Sequence, residues 1–117
     1  MTEEFEEKYD KFIEDLKRIL PKVDPNFASR VMYLERKLAN EIDDNPHVTI
    51  NLEYQDGTDM DRKLAVLRDK YSLEAEYTDK HHILFGMGRM KLATVADISR
   101  DETLIKISGK ASPIIRT

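Results

Sequence analysis

The chain has 117 residues, 40% of them apolar and 36% charged, with no cysteine, no tryptophan and a formal net charge of −4. That is enough chain for one domain, 1–117, held by a single core without staples, and the lack of cysteine excludes disulfides, thiolate zinc, iron–sulfur clusters and thiol nucleophiles. No apolar run approaches the ~20 residues that cross a bilayer, and the opening segment carries Glu3, Glu4, Glu6, Glu7 and Asp10 rather than a basic leader, so a cytoplasmic protein without membrane contact is expected.

Phe5, Tyr9, Phe12, Ile13, Leu16, Ile19 and Leu20 recur at helical spacing ahead of Pro21, which predicts a first helix with acids in its first turns and Lys17 and Arg18 in its last. Asp24-Pro25 reads as a cap and first helical residue. The stripe Phe27, Val31, Leu34, Leu38, Ile42 predicts a second helix, stopped by Asp43-Asp44-Asn45-Pro46. From His47 the period changes to two: Val48, Ile50, Leu52 and Tyr54 alternate with Thr49, Asn51 and Glu53, a strand with one buried and one wet face.

After Gln55-Asp56-Gly57, Thr58 is the expected cap of a third helix bearing Met60, Leu64, Leu67 and Tyr71, and Leu73–Tyr77 alternates as a second strand. Strand, helix, strand predicts a parallel crossover unit. His82–Phe85 has consecutive apolar residues and is expected to be central, with Gly86 and Gly88 marking a bend or bulge. Met90–Ile98 and Thr103–Ser108 are paired as a hairpin, which turns Ala93, Val95 and Leu104 to one face, and Ile114-Ile115 is at most a short edge strand. The expected architecture is α+β, a two-layer sandwich: two antiparallel N-terminal helices, then a βαβ unit and an antiparallel meander, in one mixed sheet of about five strands.

Two layers leave one sheet face to water. Thr49, Asn51, Glu53, Glu74 and Glu76 suit it, but either Leu84 or the set Ile83, Phe85 and Met87 must also point outward, joined by Ala93, Val95 and Leu104. An apolar patch of that kind marks an interface. The expectation is a small non-enzymatic protein-interaction or regulatory module that pairs with itself through the C-terminal half of its sheet, unless the first helix crosses over to cover the patch. Another protein is the alternative occupant.

Residues 1–79 carry 12 basic against 20 acidic residues and residues 80–117 carry 7 against 3. The basic set, Lys80, Arg89, Lys91, Arg100, Lys106, Lys110 and Arg116, offers a second reading, a sheet that carries single-stranded nucleic acid by charge and stacking. Only Phe85 is aromatic beyond residue 78, and a pI near 5.4 opposes that reading. A small-ligand pocket near Gly86–Arg89 is the third class.

No motif specifies chemistry, so no catalytic residue, metal or cofactor is expected. Tyr54-Gln55-Asp56-Gly57-Thr58 lacks the nucleophilic aspartate of a DxDGT signature. Asp56, Asp59 and Asp61 miss the spacing of a calcium loop. His81 and His82 are neighbours on an extended segment and point apart, and His47 stands alone beside a proline turn. Gly86-Met87-Gly88-Arg89 and Ser108-Gly109-Lys110 precede no helix that could cradle phosphate.

Overall fold

A computed structural model of the protein describes residues 2–42 and 44–113, so Asp43, Ile114-Ile115 and Arg116 lie outside the described residues. The elements are α1 (Thr2–Ile19), α2 (Pro25–Glu41), β1 (His47–Tyr54), α3 (Met60–Asp69), β2 (Glu74–Tyr77), β3 (Ile83–Arg89), α4 (Leu92–Ser99) and β4 (Leu104–Ser112). It is an α+β fold. The four strands form one antiparallel sheet in the order β2-β3-β1-β4. β1-α3-β2 and β3-α4-β4 are two interleaved crossover units, the split βαβ arrangement.

The local chemistry matches most of these boundaries. Asp24 caps α2, accepting from the Asn26 N–H, with Pro25 at the first position. Gly57 takes the left-handed φ of +83° that its turn requires. The cap of α3 is Asp59, which accepts from the Arg62 N–H at 3.2 Å. Thr58 instead donates to the Gln55 carbonyl at 2.7 Å and closes the turn.

Three expectations about the sheet need correction. Leu92–Ser99 is a helix, not a strand: Leu92, Val95, Ala96 and Ile98 turn to the core at helical spacing, a pattern that period-two reading of the same residues conceals. The sheet therefore has four strands. It is antiparallel rather than mixed, because β3 inserts between the parallel β1 and β2. Gly86 and Gly88 form no bulge. They sit in regular ladder with Ile50 and Val48, and a Cβ at Gly88 would come within 2.9 Å of Leu73 Cδ2, so the missing side chains admit Leu73 over the sheet. The bulge lies in β4, where the register slips between Glu53 and Tyr54: Lys106 opposes Glu53, and Leu104 opposes Tyr54. The extra residue, Ile105, is left exposed and the parity of Leu104 is reversed.

One sheet face carries Val48, Ile50, Leu52, Tyr54, Ala75, Leu84, Leu104 and Ile107, all buried in one cluster with Val23, Phe27, Val31, Leu64, Leu67, Val95 and Ile98. α1 contributes Leu16 and Leu20 to this cluster. It packs on α2 rather than on the sheet, and residues 3–11 stay exposed. The Lys22–Asp24 segment runs along β4. The Ile107 N–H donates to the Lys22 carbonyl at 2.7 Å and the Asp24 N–H to the Ile107 carbonyl at 2.9 Å, a single parallel bridge.

Candidate functional site

Antiparallel partners share a face, so the ladder registers specify what the second face of the sheet presents. One row across it is Glu74, Met87, Thr49, Lys110; the next is Glu76, Phe85, Asn51, Ser108; a third holds Ile83, Glu53 and Lys106; a fourth Arg89, His47 and Ser112. Glutamates line the β2 side, an apolar column of Ile83, Phe85 and Met87 runs down β3, and lysines line the β4 side. The column is half-buried, while Glu74, Glu76, Asn51, Lys106 and Lys110 are exposed. Among the described residues no helix lies over this face; α1 does not cross to it.

The expected interface residues divide accordingly. Ile83, Phe85 and Met87 are together on the open face. Leu84, the alternate choice, is fully buried on the other side. Leu104 is buried by the bulge-shifted parity, Val95 is buried beneath α4, and Ala93 is an exposed residue of that helix, away from the sheet face. The basic residues divide as well. Lys106 and Lys110 share the open face, and Arg89 ends it, donating to the Asn45 carbonyl at 2.6 Å beside Asp44. Lys80 lies in the turn before β3, Lys91 precedes α4, and Arg100 follows α4. Two depressions border Met87 on this face, one of about 340 Å³ lined by Arg30, His47, Thr49 and Lys110 and one of about 400 Å³ lined by Arg68, Glu74, Glu76 and Phe85. Neighbouring this face, His82 holds Nε2 3.5 Å from Glu53, while its Nδ1 is buried with no partner among the described residues. The described residues contain no group of three or more metal-ligating side chains, and no helix long and apolar enough to cross a membrane.

A polar cleft of about 310 Å³ opens on the helix-covered side, between α3 and α4. Sequence reading missed it, because Tyr54 and Tyr71 were consistent with plain core positions and the α4 wall was read as strand. The signal available was tyrosine rather than phenylalanine on a core stripe, since a buried hydroxyl needs somewhere to point. The Tyr71 hydroxyl donates to Asp97 Oδ2 at 2.5 Å. Burial and this bond push the Tyr71 pKa up to about 12, and the same bond, with Lys70 and Arg100 nearby, holds the Asp97 carboxyl below its ordinary value. Burial, aided by the charge of Asp101, raises the Tyr54 phenol well above its usual range.

Burial works against the Asp101 carboxylate. Bonds from Lys63 Nζ at 2.8 Å, the Thr103 N–H at 2.9 Å and the Thr103 hydroxyl at 2.7 Å outweigh it, so its pKa is lowered. A carboxylate with a lowered folded-state pKa stabilises the protein above its unfolded value of 3.8, and that stability is lost as pH falls through the folded value. Asp101→Asn is therefore expected to lower stability by on the order of 1–2 kcal/mol at neutral pH. Thermal melts followed by circular dichroism should show the wild-type advantage shrinking between about pH 5 and about pH 2 until the two curves meet.

Comparison with known proteins finds no matching family model, no similar curated protein and no similar solved structure.

Proposed function

We propose that the chain is a small non-enzymatic interaction module, a two-layer domain that pairs with a second copy of itself back-to-back through the open sheet face. The observation that carries this reading is the row order of that face: acidic on β2, apolar on β3, polar on β1, basic on β4. Face-to-face sheets keep their strands within about 30° of one another. A two-fold axis parallel to the strands reverses the order across the sheet but preserves position along it. β2 of one copy then lies over β4 of the other, and because Glu74 and Lys110 stand in the same row, each Glu74 meets a Lys110. The two β3 columns fall on either side of the axis, where Phe85 and Met87 of both copies meet diagonally.

Four strands at ~4.8 Å spacing and seven residues at ~3.3 Å give a face of roughly 19 by 23 Å. That is at the small end for a specific interface, so the pairing is of micromolar strength and reversible. Light scattering on a sizing column at tens of micromolar should give a mass approaching twice the 13.7 kDa of one chain. Phe85→Asp, which places a charge in the middle of the apolar column without touching the core, should return it to one chain with an unchanged melting temperature. A one-chain mass for the wild type at these concentrations rejects the reading.

The column of Lys106 and Lys110, across β1 from Phe85, also favours a second reading, binding of single-stranded nucleic acid. It is the weaker one: Glu53, Glu74 and Glu76 share the face, and Thr49 and Asn51 stand where β1 would have to offer a second stacking ring. Fluorescence anisotropy with a labelled oligonucleotide separates the two, since that binding would weaken steeply between 50 and 200 mM salt.

A further inference from the structure

The depression between Met87 and the β4 edge gathers side chains from separate elements: Arg30 from α2, His47 and Thr49 from β1, Lys110 and Pro113 from β4. Its charge is of one sign. Arg30 and Lys110 make no ion pair among the described residues, and no described carboxylate lines the depression. The helical neighbours of Arg30, which are Asn26, Phe27, Tyr33 and Leu34, bring no acid to it. Lys110 has Thr49 opposite and Ser108 and Ser112 along its own strand. Of the acids on the same side of the molecule, Asp44 is held by Arg89 at 3.5 Å, and Glu74 stands beyond Met87 at the other end of the row.

The floor of the depression is polar. His47 is only 8% exposed, although the sheet face it belongs to is open, and its backbone is fixed in the ladder between Arg89 and Ser112. A neutral imidazole presents an N–H donor in either tautomer, and Thr49 adds a hydroxyl. The Arg30 guanidinium lies 5.7 Å from the centroid of the Tyr33 ring, a contact that steadies its planar fork and leaves the N–H edges for an acceptor. Met87 and Pro113 supply apolar wall.

We propose that this depression binds a phosphate monoester of a small apolar group. Arg30 and Lys110 take its phosphoryl oxygens above His47 and Thr49, and its hydrocarbon part lies against Met87 and Pro113. Two cations without a counter-charge match a dianion; a phosphate monoester carries about −1.5 to −2 at neutral pH, whereas a carboxylate is a monoanion. The arginine fork also suits two phosphoryl oxygens at once. A volume of about 340 Å³ has room for a single ring. The site shares Lys110 with the proposed pairing but does not rest on it.

The test is a titration with phenyl phosphate, and in parallel with benzoate and inorganic phosphate at matched ionic strength. Binding is read from the ligand by saturation-transfer NMR, with the full chain kept below the concentration at which it would pair, so the outcome is the same whether or not pairing occurs. Phenyl phosphate should saturate with a Kd of about 1 mM or below, and benzoate and inorganic phosphate should each bind about tenfold more weakly. Arg30→Gln and Lys110→Gln should each weaken phenyl phosphate binding about tenfold with an unchanged melting temperature, since both side chains are exposed and unpaired. Arg36→Gln, the same charge change on α2 outside the depression, should alter the affinity less than about twofold. No saturation by phenyl phosphate up to about 20 mM, equal binding of benzoate or inorganic phosphate, or equal effects of Arg30→Gln and Arg36→Gln would each overturn the proposal.

Discussion

Glu74→Lys protein and Lys110→Glu protein are each expected to run as single chains at a concentration where the wild type is paired, and to pair with one another when mixed. In a two-fold interface every contact occurs twice. With Glu74→Lys alone, both rim contacts become lysine against lysine; with Lys110→Glu alone, both become glutamate against glutamate. Exposed ion pairs are worth roughly 0.2–1 kcal/mol, so turning two attractions into two repulsions costs about 2 kcal/mol in total, about thirtyfold in Kd. In the mixture each variant supplies the charge that the other lacks, and both contacts become attractive. The doubly substituted chain, with the pair exchanged, should likewise recover the wild-type mass. The whole pattern should fade in high salt, where the screening length falls from ~10 Å toward ~3 Å. Failure of the mixture to pair while the wild type does would place the interface elsewhere, the exposed Phe5, Tyr9 and Tyr33 of the N-terminal helices being the next surface to test.

The largest expected loss of stability comes from a single methyl group at Gly109. This residue opposes Ile50 in the β1–β4 ladder, and a Cβ there would stand 2.1 Å from the Thr49 carbonyl oxygen and 3.0 Å from Ile50 Cα. Both are backbone atoms of a strand bonded on its two sides, so neither can move without parting β1 from a neighbour. Gly109→Ala is expected to cost about 3 kcal/mol or more, a large part of the ~5–15 kcal/mol typical of a domain. Gly86→Ala is the matched control. A Cβ there meets nothing nearer than 3.6 Å, the Leu73 side chain, and the cost should stay below about 1 kcal/mol. Urea denaturation of the two variants reads the difference directly, and equal midpoints would refute the β1–β4 register on which the open-face rows depend.

How far the residues alone led is instructive at particular places. β1 was legible because alternation over Val48–Tyr54 is long and uninterrupted, and both helix stripes before it are bounded by proline. The same parity rule narrowed the outward residues of β3 to Leu84 or the set Ile83, Phe85 and Met87, and the ladder with β1 decides for the set. Two features defeated it. In Leu92–Ile98 small and apolar residues satisfy a period of two and a period of 3.6 equally, and only the rest of the core decides between them. In β4 the extra residue Ile105 inverts the parity of Leu104, and a bulge of this kind has no glycine to announce it. The α3–α4 cleft was hidden by the first of these, since Asp97 and Ile98 of its wall belong to the helix whose spacing also fits a strand.

The strap formed by Lys22–Asp24 has a consequence for how copies of this protein can meet. It occupies the outward-facing backbone groups of Ile107, so β4 offers little ladder to an incoming strand. On the opposite flank β2 is only four residues long, carries Glu74 and Glu76, and has the Ala75 carbonyl taken by Arg68 Nε at 2.9 Å. Open-ended growth needs a free ladder on both flanks. With each flank blunted, lateral recruitment of further sheets into a fibril is disfavoured.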